Sequence, residues 1–191
     1  PGGVQWMTAG KGILHSEMPE QENGLLKGFQ LWVNLPKTHK MTEPAYQEFA
    51  PDKVAVENRE DGTEIRVIAG KTDLGTSGPV INHYTTPTYM DVTLPGGVVF
   101  NQQLPQGHNA FIYVVEGELT VGEQAQKVGA KTLGILGAGE QVKITGQSSS
   151  SRVLLVAGKP LNEPVVQSGP FVMNTREEIN QAFDDFRRGL F

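Results

Sequence analysis

One of the four histidines in this 191-residue sequence, His15, has a carboxylate two positions on, Glu17. If 13–18 is extended, the period of two puts His15 and Glu17 on one face, both able to reach a single ion, while Ser16 points the other way. A neutral imidazole and a carboxylate suit iron, manganese, zinc, nickel or copper, so the pair can form half of a transition-metal site. The same spacing also occurs on solvated strand faces that bind nothing. Trp6, Met7 and Met18 flank the pair and are candidates for lining a substrate pocket, or for ordinary core packing.

The elements that must position these residues are mostly strands. Twenty-three glycines, twelve prolines and scarce helical periodicity favour a β-rich fold with many turns. Segments 4–8 and 13–18 read as strands around Gly10-Lys11-Gly12, and 28–35 alternates Phe29, Leu31 and Val33 against Gln30, Trp32 and Asn34. The segment 37–52 reads as a proline-punctuated connection with at most one helical turn. Segments 54–57 and 63–69 pair across Asp61-Gly62, a hairpin signal. From residue 80 a second all-β unit follows, with strands expected at 89–94, 97–102, 109–116, 118–121, 131–135, 141–145 and 152–157. The one helix lies near the end, where Thr175 and Glu178 fit a capping box. Ile179, Ala182, Phe183, Phe186 and Leu190 form its apolar stripe.

Several runs carry a resemblance: PGGVQWMTAG at 1–10 continuing to HSEMPE at 15–20, GFQLWVNLP at 28–36, KMTEPAYQ at 40–47 and GPFVMNTREEI at 169–179. Together they resemble the pirin family, whose members are bicupins. The resemblance implies an all-β bicupin of two β-sandwich or jelly-roll barrels plus a C-terminal helix, with the first barrel incomplete in this chain. The expected division is 1–75 for the remaining part of a metal-binding barrel, 76–160 for a metal-free barrel, and 161–191 for an extension that docks back on the first. The family holds one metal, commonly iron, with three histidines and a glutamate, and His15 and Glu17 match the last two. The His-x-His that supplies the first two has no counterpart here, since His39, His83 and His108 each lie outside such a motif. The expectation is therefore a divalent metal weakly held or absent in this fragment. A missing N-terminal segment, or a second copy, is expected to complete the first barrel. Residues 105–118 are similar to the first cupin motif, but Ala110 stands where its second histidine falls.

What the resemblance implies for function is a quercetin 2,3-dioxygenase-like enzyme that cleaves a flavonol with O₂, with Glu17 as a ligand that also accepts a substrate proton. The alternative is an iron-containing redox sensor that binds a regulatory or metabolic protein partner without turnover. A net charge of −5 argues against a nucleic-acid surface. No apolar run is long enough to span a membrane, and a chain without cysteine fits a reducing cytoplasm.

Overall fold

The computed structural model describes residues 2–16 and 23–191. The chain forms two compact units, one of residues 1–6 with 47–161 and the other of 7–46 with 162–191.

The first unit is a β-sandwich. Its larger sheet uses β3 (Ala55–Asn58), β4 (Glu64–Ala69), β5 (Thr88–Pro95), β7 (Asn109–Glu116), β10 (Thr132–Ile135) and β12 (Ser150–Gly158), in the order β10-β7-β12-β5-β4-β3. The smaller sheet runs β6-β11-β8-β9, from β6 (Val99–Gln103), β11 (Gln141–Gly146), β8 (Glu118–Val121) and β9 (Gln126–Gly129). Every pairing within these two sheets is antiparallel.

Alternation in the sequence explains how the sheets face each other. In β5, Thr88, Met90, Val92 and Leu94 are buried while the residues between them are partly exposed. Met90, Val92 and Leu94 meet Ile112 and Val114 of β7, Phe100 of β6 and Ile144 of β11 in one cluster, so both sheets share a single core. Each such side chain removed from water contributes about 1.5–3 kcal/mol. A register shift between Val67 and Ala69 breaks the alternation of β4. Ile68 and Ala69 consequently join a second cluster with Val80.

The 70–80 segment folds back over the end of β4, with Val80 N donating to Ile68 O at 3.2 Å and Gly78 N to Gly70 O at 2.9 Å. A Cβ on Gly78 would lie 2.5 Å from the carbonyl carbon of Ile68, so backbone approaches backbone there in a way only glycine permits.

β1 (Val4–Thr8) and β2 (Ala45–Phe49) form a two-stranded sheet, and the boundary between the units falls inside both strands. β2 occupies a segment whose sequence reads as a connection, because pairing with β1 supplies hydrogen bonds that local propensity does not foresee. Conversely, 13–16 and 28–35 carry no strand assignment. Alternating side chains do not make a strand until the backbone finds a ladder, and these segments take part in none.

In the second unit, β13 (Val166–Ser168) and β14 (Phe171–Met173) form a hairpin ahead of α1 (Arg176–Arg187). The expected capping box is present: Thr175 Oγ1 accepts from Glu178 N at 3.1 Å, and Glu178 Oε2 accepts from Thr175 N at 2.9 Å. Ile179 is the buried anchor of the helix. Lys40 is 6% exposed and donates to Val172 O at 2.9 Å and to Asn34 Oδ1. Glu163 Oε2 accepts from Lys37 N at 2.7 Å and from Asn174 Nδ2 at 3.3 Å. These bonds knit the 34–40 segment to 163–174. Burial pulls the Lys40 ammonium below its ordinary value, against the opposing charges of Glu163 and Glu178.

Candidate functional site

The segment leading to His15 is set by two glycines. Gly10 and Gly12 have φ of +54° and +140°, conformations that other residues adopt rarely. Between them Lys11 N donates to Thr42 O at 2.9 Å, and Gly12 N to Ala9 O at 3.0 Å. Lys11 Nζ lies 2.6 Å from Glu43 Oε1, an exposed pair worth little energetically but fixing the same side of the turn. His15 follows, exposed, on a stretch without regular structure. Glu17 and Met18 lie outside the described residues, so the expected pairing of imidazole and carboxylate on one face has no geometry here.

Trp6 and Met7 are partly buried, and the boundary between the two units runs between them. Trp6 packs against Ile68, Ala69 and Val80, in the company of Phe49 and Tyr89. The structure therefore places Trp6 in a second apolar cluster of the first unit, beside the main sandwich core.

Donor chemistry decides how far a metal fits. Among the described residues there is no group of three or more His, Cys, Asp or Glu that could hold an ion. His15 supplies one imidazole, and two donors from a single short segment hold a first-row ion poorly against water. The described residues thus do not make a metal site by themselves.

The sandwich has polar features of its own that the sequence did not single out. Glu57 and Arg59 face inward at the end of β3, with Arg59 Nε donating to Glu57 Oε1 at 2.8 Å and the guanidinium 5.2 Å from the centre of the Phe100 ring. Thr72 Oγ1 donates to Glu57 Oε2. Gln102, 1% exposed, donates through Nε2 to Asp73 Oδ1 at 2.9 Å. The signal available in sequence was that Glu57 and Arg59 hold the inward phase set by Ile65 and Val67 across the hairpin.

His108 stands in the turn before β7, its Nε2 3.5 Å from Thr86 Oγ1 and its Nδ1 buried without a partner. Burial, and secondarily the Lys159 charge, lowers its pKa, which favours the neutral ring. Ala110 is 8% exposed and belongs to the apolar core, surrounded by side chains such as Ile112 and Ala157 that carry no donor atoms.

Comparison with known proteins bears on the whole chain. A family model described as the Pirin C-terminal cupin domain matches residues 89–191, and one described as Pirin matches 1–33. A pirin-like protein of Caulobacter vibrioides is 50% identical over 191 residues, covering all of this chain and 68% of that protein. Pirin of Homo sapiens is 44% identical over 191 residues, covering 98% of this chain and 64% of its own length. Among solved structures, quercetin 2,3-dioxygenase from Acinetobacter baumannii superposes with a TM-score of 0.84 at 33% identity, covering 100% of this chain and 67% of that one. The chain thus spans about two thirds of the length of these relatives. The all-β sandwich with a C-terminal helix is a cupin-type fold.

Proposed function

Because this chain belongs to the pirin family, we propose that it acts as part of a metal-dependent dioxygenase of the quercetin 2,3-dioxygenase kind, cleaving a flavonol with O₂. The observation that carries this reading is the similarity, over the full chain, to a solved quercetin 2,3-dioxygenase. The ion we assign is iron, with His15 and Glu17 as two of its ligands and the remaining donors outside the described residues. When bound, such an ion supplies Lewis acidity toward the substrate oxygens and a route to O₂.

This chain's own residues would do the following. His15 offers a neutral imidazole nitrogen. The Glu17 carboxylate accepts the proton of a substrate hydroxyl, as a carboxylate can when it lies within hydrogen-bond reach. Met7 and Met18 offer polarizable thioethers to an aromatic ring, and Trp6 holds the preceding strand through its packing. A cysteine-free chain suits the reducing cytoplasm in which we place the reaction.

The test is flavonol consumption by the iron-loaded, full-length polypeptide that contains this chain, followed at the visible absorbance of quercetin with carbon monoxide measured in the headspace. Turnover that falls at least a hundredfold in His15→Ala is the expected result. Quercetin left intact by protein with a full complement of iron overturns the reading, and binding of a protein partner that depends on the iron's oxidation state would then identify a sensor.

A further inference from the structure

We propose that Phe191 is a positioning residue for the His15 segment, its ring acting as a stop against the backbone of Gly12. The inference rests on the reading of His15 as a functional ligand, and it says which part of the fold fixes where that ligand goes.

The contact is direct. A Cβ placed on Gly12 would fall 2.1 Å from Phe191 Cγ and 2.4 Å from Cδ2, so the ring lies over the glycine Cα. At the other glycine of the same turn, a Cβ on Gly10 would fall 2.1 Å from Thr42 O. The 10–12 turn is therefore met by a carbonyl at Gly10 and by an aromatic ring at Gly12, and glycine at both positions lets each come that close. Only two residues, Ile13 and Leu14, separate Gly12 from His15. At about 3.3 Å per residue the imidazole-bearing Cα is within roughly 10 Å of the point where the ring presses.

The ring itself is anchored. Phe191 meets Phe171 of β14 at 6.0 Å between centroids, and Phe186 of α1 at 6.1 Å. Phe171 in turn takes Phe183 edge-on at 4.9 Å and 85°. Such ring pairs contribute beyond their buried area when they meet edge to face. The helix, the 171–173 strand and the Gly12 turn are thus linked by one run of rings, and a shift of α1 is passed to the backbone just ahead of His15.

Native-state hydrogen exchange tests this without metal or substrate, since the Lys11 and Gly12 amides donate to Thr42 O and Ala9 O and their opening can be timed. In Phe191→Ala we expect both amides to exchange at least tenfold faster and the His15 ring ¹H–¹³C resonances to move, while Leu155 in β12 exchanges as before. Phe191→Tyr should restore protection and resonances. If Leu155 also loses protection in the alanine variant, the comparison is made on Phe191→Leu, which keeps apolar volume but not the ring. Unchanged exchange at Lys11 and Gly12 together with an unmoved His15 ring overturns the proposal. Either result leaves flavonol turnover as a separate question, because this measurement involves neither iron nor O₂.

Discussion

Glu57 shows what a single residue can hide from its sequence. It lies on the inward phase of β3, a position where alternation calls for an aliphatic side chain, and it is 8% exposed. Burial pushes its carboxyl up. Hydrogen bonds from Thr72, Arg59 and Thr76, with the Arg59 charge, outweigh that, and the net direction is down. A carboxylate with a depressed folded value contributes stability that is present above its ordinary value of 4.5 and is lost as the pH falls through the folded value. Glu57→Gln should therefore lower stability by roughly 1–3 kcal/mol near pH 7, since Arg59 loses its charge partner. It should also flatten the acid limb below pH 4.5. Urea unfolding of both proteins over a pH series checks it, and parallel acid limbs would contradict it. His15 was singled out by residue type and spacing alone. The grip on the turn ahead of it was not legible, because the groups that press on Gly10 and Gly12, Thr42 and Phe191, are far away in sequence.

Among the elements, those with strict alternation and a partner close in sequence were readable. β5 and the β3–β4 hairpin, with Asp61 Oδ1 accepting from Thr63 N at 2.9 Å in its turn, formed as their patterns indicate. Residues 28–35 have an equally good pattern and no strand, while Ala45–Phe49 has a poor one and pairs with β1. The difference is the availability of a ladder, a property of the fold and not of the segment. Helix α1 was readable because its start is chemically local. Thr175→Ala should remove the cap accepted from Glu178 N and destabilise the helix-bearing unit by about 1 kcal/mol. Thermal unfolding followed by helix circular dichroism gives the test, with Thr175→Ser expected to keep most of the stability.

At the scale of the whole chain, the two units differ in how much they bury. The sandwich unit holds a large apolar core, whereas among the described residues of the other unit the buried ones are Lys40, Asn174 and Ile179. Stability should be distributed accordingly. Hydrogen exchange followed residue by residue in rising urea should show amides of α1 and β14 opening several molar-equivalent steps of denaturant before those of β5, β7 and β12. Coincident opening would mean one cooperative molecule instead.

The backbone passes between these units after Trp6, after Tyr46 and after Leu161. Neither one corresponds to an uninterrupted stretch of reading frame. The ten strands of the two sandwich sheets nevertheless lie in one uninterrupted stretch, from Ala55 to Gly158, so a single gene segment can carry both sheets, whereas the second unit must draw on two separate segments, 7–46 and 162–191.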